Sequence, residues 1–224
     1  MTISIAARCE RTGAFGVAIS SSSPAVGSRC PNVRTGVGAV SSQNVTDPSL
    51  GPALLDALQS GLGAHEALAK VISVATHPEF RQLTVVDNTG ESAVYSGAKS
   101  LGINAEVTAK NVAAAGNMLA NADVIQAMVD AFNATYENEL ADRLIQALEA
   151  GVKAGGEAGP VHSAAVIVAT EVSWPTTNLR VDWDEDPISK LREIYNVWAP
   201  QSQDYLTRAL NPNTAPSYGV PGDE

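Results

Sequence analysis

The chemistry open to this chain rests on a few residues. Ser20 to Ser23 close an apolar run and set a row of hydroxyls beside the start of the neighbouring strand, although a serine run there is also ordinary turn chemistry. Arg8, Arg11, Arg29 and Arg34 stand against a single acid, Glu10, before residue 44, in a chain of net charge −10. A basic segment in an acidic chain can line a pocket for a small anion, with chance as the plain alternative. His65, His77 and His162 lack zinc-ligand spacing and have no cysteine cluster near them. His162 precedes a strand, but neither a Ser-His-Asp set nor a nucleophile elbow accompanies it. "GVGAVS" from Gly36 lacks the third glycine of a dinucleotide fingerprint, and "GLGAHE" follows a helix, not a strand. Asp184-Glu185-Asp186 is a solvated turn and helix cap, and no glycosidase carboxylate pair can be assigned from it. Neither a metal nor a cofactor is expected.

These residues must be held by elements the apolar pattern locates. "TISI" alternates from the second residue, and the turn Glu10-Arg11-Thr12-Gly13 leads to a second run from Phe15 to Ile19, a hairpin with no lead-in. Residues 20–34 read as loop, and "TGVGAVSSQN" as a third strand. Helices follow over 47–61 and 64–78, then strand, turn and strand over 81–97. A strand over "NVAAAGNML" leads to a helix from about Asn121 to Thr135. Next come a helix over 139–156, strands over "HSAAVIVATEV" and "NLRVDW", and a helix capped by Asp186 with Pro187 in its first turn. Paired helices flanking antiparallel strands predict an α+β fold, a four-layer αββα sandwich with two sheets between helix pairs. One domain is expected over 1–210, with a tail over 211–224.

With 224 residues, 45% hydrophobic and only 5% aromatic, the core must be mostly Ala, Val, Leu and Ile. Cys9 and Cys30 are read as buried thiols. The acidic charge argues against nucleic acid, and no signal peptide or bilayer-length apolar stretch is present, so no membrane and a cytoplasmic location are expected. The Ala-rich stretch 115–132 could pack against a copy of itself in a homodimer.

A resemblance lies in "MTISIAAR", "GVAISSSSPAVG", "GVGAVSSQ", "GPALLDAL", "RQLTVVDNTG", "AAGNMLA", "ALEAG" with its following "AGG", and "HSAAVIV". From Thr2 to about Leu191 the chain resembles the bacterial domain of unknown function 1028, whose fold looks like that of the N-terminal-nucleophile hydrolases. "GNML" with "RQ" and "SAA" is the more specific part. Family members commonly carry an Arg between the double glycine and the Ser-Ala-Ala strand. Here "GGEAGPVHSAA" has none, and His162 stands where the family often has Gln. Those departures imply a different substrate or a degraded site.

The resemblance implies that Thr2, exposed by loss of Met1, attacks a carbonyl while its own α-amine takes the proton. An α-amine has an unperturbed pKa of about 7.7–8.0, near working pH. By position, Asn117 is a candidate oxyanion donor, and Gly116 allows close backbone approach. Gln43 and Asn44 end the third strand, Ser4 shares a strand face with Thr2, and Arg34 precedes the third strand as a cation for the amine or for a substrate carboxylate. Ser21 and His162 complete the candidate substrate-binding set. Each has a plainer reading: Thr2 as a β-favouring threonine, Asn117 as a helix cap, Gln43 as a partner for backbone groups, Arg34 as a surface residue. Thr2, Asn117 and Arg34 are expected to open onto one pocket. The function expected is hydrolysis of a small amide, imide or other C–N bond in a small-molecule substrate, with an anionic one as an option. The alternatives are a non-catalytic pocket for a small carboxylate metabolite, and an interaction protein without pocket chemistry.

Overall fold

A hairpin starts the chain in this computed structural model, which describes residues 1–222. Strand β1 (Thr2–Arg8) turns back into β2 (Phe15–Ser21), with Gly13 at φ +73° supplying the left-handed step. Then come β3 (Pro31–Arg34), β4 (Gly38–Asn44), α1 (Leu50–Gln59) and α2 (Ala64–Val74). They are followed by β5 (Arg81–Asp87), β6 (Ser92–Ser96), β7 (Ala105–Ala109) and β8 (Val112–Asn117). The chain continues through α3 (Asp123–Ala134), α4 (Leu140–Lys153), β9 (Ser163–Ala169), β10 (Thr177–Val181), α5 (Pro187–Trp198) and α6 (Ser202–Leu210).

Two antiparallel sheets result. One has six strands in the order β10-β9-β2-β1-β8-β7, and the other has four in the order β3-β4-β5-β6. β1 therefore lies inside its sheet, with Thr2 opposite Ser21 on one side and Asn117 on the other. Side chains alternate across a strand, and the buried clusters show where each face goes. Ile3, Ile5, Ala114 and Val166 pack with α3, α4 and α5. Val40, Leu83 and Val85 pack with α1 and α2. Ala6, Phe15, Val17 and Ala113 of the larger sheet meet Ala39 and Val86 of the smaller.

That third cluster fixes the phase of everything around it. Stepping by two from Ala6, Val17, Ala113, Ala39 and Val86 leads to Thr2 and Ser4, Ser21, Asn117, Ser41 and Gln43, and Thr84 and Gln82. The face between the sheets thus runs from apolar at one end to polar at the other.

Several elements differ from the sequence expectation. "PNVR", read as loop, is strand β3, and the third strand of the expectation is the turn 35–37 followed by β4. β7 carries "AEVTA" at the sheet edge, where exposed polar residues hide the apolar signal. α6 was not anticipated: none of its residues is buried, so no apolar stripe marks it. Asp186 does cap α5, its carboxylate accepting from the Ser189 N–H at 3.4 Å. Cys9 and Cys30 are buried free thiols.

Candidate active site

Thr2 is 6% exposed, at the polar end of the face between the sheets. Its hydroxyl donates to the Met1 carbonyl oxygen at 2.6 Å, and Ser21 Oγ donates to the same oxygen at 2.5 Å. Thr2 Oγ and Ser21 Oγ lie 3.2 Å apart. With its hydrogen on the Met1 carbonyl, Ser21 accepts from Ser23 Oγ at 2.9 Å, and Ser23 Oγ accepts from Arg29 Nη2 at 2.6 Å. A relay of donors therefore runs from Arg29 to the carbonyl one residue before Thr2.

Behind Thr2 is an amide network. Asn117 Nδ2 donates to Gln82 Oε1 at 3.1 Å, and Gln43 Nε2 donates to the same oxygen at 2.8 Å. Gln43 Nε2 also reaches the Ala115 carbonyl at 3.1 Å. Gln82 Nε2 donates to the Gly116 carbonyl at 3.1 Å and to Ser96 Oγ at 3.0 Å. Gln82 joins the two sheets and orients Asn117. The hydroxyls of Ser4, Ser41 and Thr84 and Gln43 Oε1 are buried on this face without a protein partner. Met118, next to Asn117, holds φ +52°, a left-handed arrangement that gathers at functional sites.

Glu157 completes the site. Its segment pairs with the chain just past Asn117: the Ala158 N–H donates to the Met118 carbonyl at 2.9 Å, and the Ala120 N–H to the Gly156 carbonyl at 3.0 Å. Glu157 is 7% exposed, and no side chain hydrogen-bonds its carboxylate oxygens. Burial pushes its carboxyl from the ordinary 4.5 up to about 8, against the pull of the Met1 α-ammonium and of the Ser22 backbone N–H. The folded state therefore holds this proton more tightly than the unfolded chain does. Its stabilising effect is full below about 4.5 and is lost as pH rises to about 8. Glu157→Gln is expected to leave stability near pH 4.5 unchanged and to raise it at pH 9. Calorimetry across that range checks this, and equal losses at both ends would refute it.

The sequence-derived residues divide. Thr2, Ser4, Ser21, Gln43 and Asn117 share the face between the sheets. Arg34 does not join them. It pairs with Asp56 at 2.8 Å and donates to Gln59 Oε1 at 2.5 Å. It lies opposite Gly38, the far end of β4 from Gln43, about 17 Å away at strand spacing. Arg8 bonds Asn111, and Arg11 bonds Glu137, so of the four arginines it is Arg29 that reaches the hydroxyl row. Asn44 sits at a strand corner with φ +71°, its Nδ2 on the Phe80 carbonyl and its Oδ1 accepting from the Leu101 N–H. His162 stacks on Trp183 at 4.3 Å, and its backbone N–H holds the Ser21 carbonyl at 2.9 Å. It supports the site through the backbone, with its ring committed elsewhere.

Gly116 faces the helices. A Cβ there would lie 2.7 Å from Leu119 Cδ2, 2.8 Å from Ile125 Cδ1 and 3.1 Å from Ile3 Cγ2. Gly116→Ala is expected to cost about 1–3 kcal/mol by overpacking. Urea unfolding measures it. Unchanged stability with impaired activity would instead assign Gly116 to the site.

Sequence reasoning missed Gln82 and Glu157, and it named Arg29 only as one of the four arginines of the basic segment. Gln82 carried a signal, its place two residues before Thr84 on a strand whose inner face could be phased. Glu157 carried none, because its environment is made by residues distant in the chain. A cavity of about 460 Å³ lies elsewhere, lined by Thr12, Glu139, Thr170, Tyr195 and Trp198 at the hairpin-turn end of β1. Among the described residues no group of three or more His, Cys, Asp or Glu could hold a metal ion, and no helix is long and apolar enough to cross a membrane.

The model of a family of unknown function, DUF1028, matches residues 2–191. A crystal structure of a protein from Silicibacter pomeroyi that matches the same family is 30% identical, with a TM-score of 0.82 over 88% of this chain and 89% of that one. Anbu (ancestral beta-subunit) from Yersinia bercovieri is 11% identical, with a TM-score of 0.40 over 89% of this chain and 95% of that one. No curated protein matches the chain.

Proposed function

The chain belongs to the DUF1028 family, whose function is unknown, and from that premise we propose that it hydrolyses a small amide, imide or other C–N bond, with Thr2 as N-terminal nucleophile once Met1 is removed. The observation that carries this reading is the carbonyl before Thr2, which accepts from both Thr2 Oγ and Ser21 Oγ at the polar end of the buried face between the sheets. These donors mark where a substrate carbonyl oxygen would be held beside Thr2 Oγ. The fold proposed with it is the four-layer αββα sandwich of the N-terminal-nucleophile hydrolases, supported by the three packed clusters on either side of and between the sheets.

In the proposed reaction the Thr2 α-amine takes the Thr2 hydroxyl proton, and Oγ attacks the substrate carbonyl carbon. The developing oxyanion meets the Ser21 hydroxyl, with Arg29 behind it through Ser23, and the Asn117 Nδ2 hydrogen not used by Gln82. The leaving nitrogen takes its proton from the α-ammonium. Water activated by the same amine then releases the acyl group.

The expected constellation of Thr2, Asn117 and Arg34 is not formed, because Arg34 is paired with Asp56, and that favours a second reading, a non-catalytic pocket for a small carboxylate metabolite. The test compares two samples: the chain with Met1 retained, and a chain released from an N-terminal fusion so that Thr2 is first, each verified by intact mass. Ammonia release from a panel of small amides is expected from the second alone. Equal turnover, or none in either, would sink the Thr2 mechanism.

A further inference from the structure

The cavity of about 460 Å³ has a chemistry of its own. Val168 of β9 and Thr177 of β10 pair in its floor, on the face of the larger sheet that packs against the helices. Val168 lies opposite Gly16, five residues along β2 from Ser21, so this floor is about 17 Å from the hydroxyl row at strand spacing. Tyr195 and Trp198 of α5 bring two aromatic rings to it. Thr177 is 8% exposed, and its hydroxyl has no hydrogen-bond partner among the described residues. The Tyr195 hydroxyl has none either. A buried polar group left without a partner favours a ligand that supplies one.

The charge around the cavity has one sign. Glu139 and Glu171 line it from exposed positions, and neither has an ion pair among the described residues. No Lys, Arg or His lines it among the described residues. The Arg192 guanidinium lies 5.6 Å from the Tyr195 ring centroid, but Asp142 and Glu149 already hold it. Burial, with Asp142 and Glu139 beside it, pushes the Tyr195 phenol above its ordinary range. Leu140 and Ala141 bring the first turn of α4, whose charge of about +0.5 is outweighed by two carboxylates. We propose that this cavity is a binding site for a small organic ammonium ligand with an aromatic or aliphatic body and a hydroxyl at its far end. The ammonium faces Glu139 and Glu171 at the rim, the body lies against Tyr195 and Trp198, and the hydroxyl reaches Thr177. Aromatic rings and unpaired carboxylates both favour a cation. A neutral ligand of the same shape keeps only the apolar contact, and an anionic one meets like charge.

The test is calorimetry on the full chain at pH 7 and low salt with three probes of one shape: tyramine, the neutral alcohol 2-(4-hydroxyphenyl)ethanol and the anion 4-hydroxyphenylacetate. Tyramine is expected to bind about 10-fold or more tighter than the alcohol, and the anion more weakly than both. Glu139→Gln combined with Glu171→Gln is expected to remove that preference, and added salt to shrink it. Phenethylamine, which lacks the ring hydroxyl, is expected to bind more weakly than tyramine, and Thr177→Val to erase that difference. Equal binding of tyramine and the alcohol, binding of no probe, tighter binding of the anion, or a preference unchanged by the double Gln variant overturns the proposal. The substituted glutamates are exposed, and the probe comparison on the unaltered chain stands even if a variant fails to fold. None of these outcomes depends on turnover at Thr2, so the hydrolase reading and this site stand or fall separately.

Discussion

Thr2→Ala in a chain that starts at residue 2 is expected to lower turnover by about 10⁴-fold or more, with the fold intact. The hydroxyl is the bond-forming atom in the proposed reaction, and nothing else on this face can replace it from the same position. Ser21 Oγ lies 3.2 Å away, but Ser21 is inside the chain and has no free amine of its own to take its proton. Structural damage is expected to be small. Thr2 Oγ bonds the Met1 carbonyl, which Ser21 also holds, and Ser21 Oγ, and the packed residues of β1 include Ile3, Ile5 and Ala6. Thr2→Ser keeps the hydroxyl and is expected to retain a measurable fraction of the rate. Circular dichroism and steady-state kinetics on the same preparations decide it. A Thr2→Ala chain working within ten-fold of the parent would end the nucleophile assignment.

Removing the hub of the amide network acts on stability and rate together. Gln82→Ala takes the acceptor from Gln43 and Asn117 and the donor from Ser96 and the Gly116 carbonyl, all at or near full burial except Ser96. Buried polar groups left unpaired cost about 1–3 kcal/mol each, and Gln43 keeps its bond to Ala115, so a loss of about 3–5 kcal/mol is expected. For a chain of this size that lowers Tm by about 10 °C. Asn117, freed to rotate, is expected to lose its alignment as an oxyanion donor, a loss of about 10²-fold in rate. Scanning calorimetry and kinetics measure the two effects. A Tm within 2 °C of the parent would show that the network is not what joins the sheets here.

The amino-acid order by itself determined the elements with a strong period. "TISIAAR" could not be other than a strand starting at residue 2, because β-branched and apolar residues alternate from the outset and a Gly13 turn follows. The stripes of α1, α3 and α4 were as plain, since each buries four or more apolar residues at helical spacing. Alternation also put Ser4 with Thr2. All these are relations within a few residues, fixed by backbone geometry. Which strands lie side by side was set by the tertiary structure. The pairing of Thr2 with Ser21 belongs to the hairpin, but its pairing with Asn117 comes from sheet order and joins residues more than a hundred apart. Arg34 was misplaced for this reason: its segment is basic, but β3 turns it toward α1 and Asp56. Glu157 became a site residue only because folding buries its carboxylate beside the first residue of the chain. In the linear order it is one acid after two glycines. Its charge has meaning only through the low-dielectric surroundings and the ammonium that the fold brings to it.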